Sequence, residues 1–227
     1  GLISNSPAEI LSIIQPDPAI GKLDFSITGK IKETKIFGPS LELRRTISGT
    51  LGKSSIHIHD EIVNRANTAA PHMLLYHFNF GWPLVDEGAE LIWKGELEAR
   101  MNDSRIFKTG YDYKKCPAPL DHHSGSGEDV AFIDVVADEA GMCVGGVYNN
   151  KLDLGVSIRF FKKLLPWLTN WQHWGKGEYV VGIEPGTNKV IGQAKAREQK
   201  ELILIEPGAS RVYDVELEVI HGHTSLP

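Results

Sequence analysis

Leu74-Leu75-Tyr76-His77-Phe78-Asn79-Phe80-Gly81-Trp82-Pro83-Leu84 reads as a buried strand that carries one imidazole and one amide among apolar side chains. Residues two apart in a strand share a face. His77 is therefore expected beside Leu75 and Asn79, with Tyr76, Phe78 and Phe80 on the other side. A buried polar group needs a partner or a chemical task. One answer at His77 is a core histidine bonded to a backbone carbonyl. The other is a site. Trp82, just past the strand at Gly81-Trp82-Pro83, adds a ring to those around a few polar groups. That mixture suits a sugar, whose C–H faces stack on rings while its hydroxyls need donors and acceptors.

The same strand-and-break pattern runs outward in both directions. Short runs of β-formers punctuated by Gly, Pro and Asn occur at residues 23–34, 41–51, 54–63, 71–80, 89–93, 129–137, 142–148, 152–160, 179–184, 201–205 and 210–220. Many short strands at such spacing predict an all-β sandwich or barrel. Helix signals are few. Ser6 with Glu9 three residues later resembles a capping box and predicts a helical turn at residues 6–11. A second short helix is expected at residues 161–168, limited by Pro166. Residues 99–127 are polar and irregular and read as a long surface excursion.

Composition narrows the function. The 227 residues are 41% hydrophobic and 23% charged, as in ordinary globular chains. A net charge of -5 and a pI near 6.0 argue against a nucleic-acid partner. No apolar run approaches the ~18–20 residues of a membrane span. Cys116 and Cys143 are the two cysteines, which fits a reducing cytoplasm and allows at most one bridge.

Several other constellations could carry chemistry. Glu184 ends a strand in Val181-Gly182-Ile183-Glu184-Pro185-Gly186-Thr187-Asn188. It reads either as a solvated turn carboxylate or, in a partly dry cleft, as a general base with a raised pKa. Trp167, Trp171 and Trp174 upstream could wall such a cleft or be plain core. Glu128-Asp129 enters a strand, and one of the two could accept hydrogen bonds from sugar hydroxyls. His57-x-His59-x-Glu61 places three metal-ligand types on one strand face, a partial match to cupin barrels, and otherwise reads as a polar exposed face. Asp121-His122-His123, flanked by Ser and Gly, reads as a solvated loop. No phosphate loop and no nucleophile elbow is present.

The segment from Leu74 to Gly88 resembles the signature of the aldose 1-epimerase-like proteins, a bacterial branch of the galactose mutarotase-like superfamily. So do Leu165-Pro166-Trp167 through Gly175-Lys176-Gly177 to Asn188, and the closing Glu206-Pro207-Gly208. The resemblance spans most of the chain in the right order. It implies a β-supersandwich of large, mainly antiparallel sheets, a single domain over residues 1–227 lacking an N-terminal portion, and interconversion of the α and β anomers of a free sugar without a cofactor. On that likeness His77 is the acid that protonates the ring oxygen and Glu184 the base at the anomeric hydroxyl. Asn79, Trp82 and Glu128 or Asp129 are the expected sugar contacts, and residues 99–127 are expected to choose the sugar. The superfamily's N-terminal arginine is expected where Leu2 stands. A non-catalytic carbohydrate-binding protein on the same fold, or a cupin-type metal enzyme using His57, His59 and Glu61, are the alternatives.

Overall fold

The computed structural model describes residues 3–222 other than Asp103 and Thr109, and at Ile106 the backbone alone. Leu2 lies outside the described residues. The strands are β1 (Glu9–Ile14), β2 (Asp24–Thr34), β3 (Ser40–Thr50), β4 (Ser55–Asn64), β5 (Ala70–His72), β6 (Phe78–Gly81), β7 (Glu90–Ile92), β8 (Gly95–Ala99), β9 (Asp129–Val135), β10 (Met142–Asn149), β11 (Leu154–Phe161), β12 (Trp167–Gly175), β13 (Glu178–Gly186), β14 (Ile203–Ile205) and β15 (Ser210–Ile220). Among the described residues a short α-helix, α1 (Gln193–Glu198), and a few single 3-10 turns join them. The architecture is thus all-β with large antiparallel sheets, as the strand pattern predicts. Among the described residues no helix is long and apolar enough to cross a membrane.

The chain forms two compact units, residues 1–73 with 193–217 and residues 74–192 with 218–227. In the first, β1, β2, β3, β4 and β15 lie in that order. A strand replaces the helical turn expected at residues 6–11. Ile10, Ile13 and Ile14 of β1 pair with Gly29, Ile27 and Ser26 of β2, and an isolated helical turn has too few bonds to compete. Ile13, Ile27, Ile47 and Ile58 stand in register across four strands. The face continues into the buried Leu43 and Ile62. His57 and His59 project from β4 towards Glu216, at 3.6 Å, and Asp214, at 2.7 Å. Among the described residues no three His, Cys, Asp or Glu side chains cluster closely enough to hold a metal. The cupin alternative therefore lacks its ligand set there.

The second unit holds the antiparallel sheet β6-β13-β12-β9-β8 and the strands β11-β10-β7. Their inner faces meet closely: a β-carbon on Gly145 of β10 would lie 2.8 Å from Leu168 and 3.2 Å from Ile183. Ile133, Phe160, Leu168, Trp174 and Ile183 fill this core. The short helix expected at residues 161–168 is instead a tight turn. β11 ends at Phe161, and the Leu164 and Leu165 N–H groups both bond to the Phe161 carbonyl, at 3.0 and 2.9 Å. β12 then begins at Trp167, bonding to β13 on one side and β9 on the other.

Residues 99–127 are not an open surface excursion. Ser104, Arg105, Tyr113, Cys116 and His123 are buried. Their polar groups can leave water because β9 and β12 supply partners. Ser104 Oγ and Arg105 Nε donate to Asp129 at 2.8 and 2.6 Å. Tyr113 Oη donates to the Asn170 carbonyl at 3.0 Å, and Gln172 Nε2 to the Tyr113 carbonyl at 2.9 Å. The Trp174 N–H donates to Nδ1 of His123 at 3.0 Å. His123 is thus a buried histidine, held to a pKa of about 4 by burial first and by Arg105 second. Both cysteines are free and buried.

Candidate active site

Alternation along β6, β13, β12 and β9 sorts the second unit's polar side chains onto two faces. Asn79 lies opposite Gly182, Gly182 opposite Trp171, and Trp171 opposite Val130. Thr169 lies opposite Glu184 and His173 opposite Val180. One face therefore carries Asn79, Glu184, Thr169, Trp171 and His173. The reverse face carries Leu168, Asn170, Gln172, Trp174 and Asp129 and packs inward.

His77 and Glu184 meet on the first face. Nδ1 of His77 lies 3.0 Å from Glu184 Oε1 and 3.0 Å from Asn79 Oδ1. The Asn79 contact has hydrogen-bond geometry, with Nδ1–H donating. The Glu184 contact is a close approach out of line for a bond, which leaves Oε1 buried without a hydrogen-bond partner among the described residues. The hydroxyl of Thr169, directly across the strand, is also buried without one.

His77, expected inside, has a side chain 54% exposed, whereas that of Glu184, for which the sequence leaves open a solvated turn or a partly dry cleft, is 2% exposed. The cause is position. His77 precedes β6, the edge strand of its sheet, while β13 lies inside it. Burial, the larger cause, and the nearby charge of Glu128 push the Glu184 carboxyl up to about 8.

Of the expected sugar contacts, Asn79 bonds His77 itself. Glu128 lies on the dyad's face: the Trp171 indole N–H donates to its Oε2 at 2.5 Å, and Arg100 bonds its Oε1. Burial would raise the Glu128 carboxyl, but the bonds from Arg100 and Trp171 hold it below the usual range. Asp129 points to the reverse face, bound to Ser104 and Arg105. Trp82 is 80% exposed and makes no ring contact among the described residues. The ring beside His77 is instead Trp171, with centroids 6.2 Å apart. Arg100, Thr169 and His173 were not anticipated. The i, i+2 series Trp167, Thr169, Trp171, His173 is the signal that could have found the last two.

A family model for a domain of unknown function, DUF4432, matches residues 1–219. No curated protein matches the chain. Among solved structures the chain is similar to a candidate aldose 1-epimerase from Klebsiella pneumoniae subsp. pneumoniae, with a TM-score of 0.85 and 27% identity over 99% of this chain and 57% of that one. It thus spans little more than half the length of that protein. A galactose mutarotase-like protein from Clostridium acetobutylicum aligns with a TM-score of 0.66 and 14% identity over 98% of this chain and 69% of that one. A GalM/aldose epimerase homologue from C. elegans aligns with a TM-score of 0.59 and 12% identity over 92% of this chain and 68% of that one. The last two speak to the fold alone, which is galactose mutarotase-like.

Proposed function

We propose, from the premise that the chain belongs to the DUF4432 family, that it is an aldose 1-epimerase interconverting the α and β anomers of a free sugar. The observation that carries this reading is the dyad itself: a buried, unbonded carboxylate oxygen 3.0 Å from the imidazole of an exposed histidine. Such a pair offers a base and an acid on one side of a small open face. Trp171 stands beside it to stack a sugar ring.

The chemistry follows from which atoms are free. Glu184 takes the proton of the anomeric hydroxyl. Nδ1 of His77 is directed at Asn79 and Glu184, so Nε2 is the nitrogen left to deliver a proton to the ring oxygen. The C1–O5 bond breaks, C1 becomes an aldehyde, and rotation about C1–C2 presents its other face. Closure then returns the first proton to O1 and the second to Nε2. A carboxyl titrating near the working pH suits a general base. The test is polarimetric relaxation of freshly dissolved α-glucose and α-galactose. Wild type should accelerate it, and His77→Ala and Glu184→Ala should each lower kcat by about 10²–10⁴-fold. Acceleration by both variants equal to that of wild type would overturn the assignment.

A further inference from the structure

A cavity of about 530 Å³ adjoins the dyad without including it, lined among others by Ser126, Glu128, Trp171, His173, Glu178 and Tyr179. We infer that it is a second sugar subsite, and that the preferred substrate is a neutral reducing oligosaccharide of at least two units. This rests on the epimerase reading for the unit that reacts.

Position along the strands separates the two places. The Glu184 carboxylate lies over Gly182, opposite Trp171. From there the cavity follows β13 past Val180 to Glu178. Four residues of strand from Gly182 to Glu178 cover ~13 Å at about 3.3 Å each. One pyranose ring is shorter than that, and two rings joined by a glycosidic bond need about that length. A free anomeric carbon held at His77 and Glu184 would leave the next unit inside the cavity.

The lining has the chemistry of a hydroxyl-bearing ring. Trp171 and His173 provide two near-parallel rings, 5.8 Å apart at 12°. The acceptors are fixed in place. Glu128 is bonded by Arg100 and Trp171. Glu178 Oε2 accepts the Gly125 N–H at 3.2 Å and lies 3.3 Å from His173 Nε2. The other His173 ring nitrogen lies 2.6 Å from the Gly127 carbonyl oxygen. Acceptors held this way suit sugar hydroxyl donors. The carboxylates of Glu128 and Glu178 repel a uronate or a phosphorylated sugar, and Arg100 is already committed to Glu128. A neutral unit is what remains.

The experiment compares kcat/KM for anomerisation of maltose, cellobiose and melibiose with that of glucose, by polarimetry on the full chain. At least one disaccharide should exceed glucose by tenfold or more. Glu178→Ala, and Ser126→Trp to fill the cavity, should each reduce that disaccharide-to-glucose ratio at least fivefold. All three disaccharides falling below glucose, or a ratio unmoved in both variants, would overturn the subsite while leaving the epimerase reading intact. If no sugar is accelerated, the epimerase reading fails. Calorimetric titration with the same sugars then decides the subsite: tighter disaccharide than glucose binding, lost in Ser126→Trp, supports it, and equal binding overturns it.

Discussion

A β-carbon on Gly182 would lie 2.3 Å from Oε1 of Glu184. The carboxylate of Glu184 rests in the space that a side chain at Gly182 would fill. Glycine is costly inside a strand, so its place here is explained by that approach. Gly182→Ala should push the carboxylate away from His77 and lower kcat at least about 10²-fold, while overpacking costs about 1–3 kcal/mol of stability. Paired rate and urea-unfolding measurements check this. An alanine variant with full activity would show that the carboxylate need not lie there.

Glu184 also sets a pH dependence of stability. Its carboxyl titrates at about 8 in the fold against 4.5 otherwise, so the folded state holds the proton longer than the unfolded state. That contribution is complete below about 4.5 and is lost as pH rises towards about 8, a loss of about 3–5 kcal/mol. Glu184→Gln should therefore be more stable than wild type at pH 9 and nearly equal to it at pH 4.5. Urea midpoints that differ by the same amount at both pH values would contradict this.

The same carboxyl should shape the rate. A base must be ionised to act, so kcat/KM should climb as pH rises through about 8. The charge of Glu128 contributes to that high value. Glu128→Gln should move the midpoint to lower pH. A midpoint unmoved in Glu128→Gln would remove Glu128 from the account.

Asp129 should behave unlike its neighbour. Asp129→Ala strands the buried Arg105, whose guanidinium lies 2.5 Å from the carboxylate. Loss of one partner of a buried pair costs about 3–5 kcal/mol. Glu128→Ala, at a position a third exposed, should cost under about 1 kcal/mol. Urea denaturation of the two single variants measures the contrast, and equal costs would contradict the two-face arrangement.

Much of this was legible in the residues. β2, β3, β4 and β15 show apolar alternation between Gly, Pro and Asn breaks, and they lie close to their expected bounds. β12 does not read that way. In Trp167-Leu168-Thr169-Asn170-Trp171-Gln172-His173-Trp174 both faces carry polar side chains, one set facing the site and one bonded into the packed reverse face. Alternation of polar with polar gives no strand signal, and with β12 went Thr169 and His173. His77 and Glu184 were visible as residue types in context. Which of them is buried was not, because the edge position of β6 depends on the order of strands rather than on local sequence. The burial of residues 99–127 was hidden for a related reason: Asp129, Asn170 and Gln172, which satisfy the segment, lie at or beyond its end in the chain.

The split between the two faces of β9, β12 and β13 also bears on how such a protein could be re-engineered. On the epimerase reading, changes at Glu128, Trp171 and His173 would explore sugar preference, while changes one residue away, at Asp129, Asn170 and Gln172, would disturb the scaffold. A library confined to alternate positions of these strands would search specificity while sparing the fold. Randomising contiguous stretches would spend most of its diversity on chains that no longer assemble.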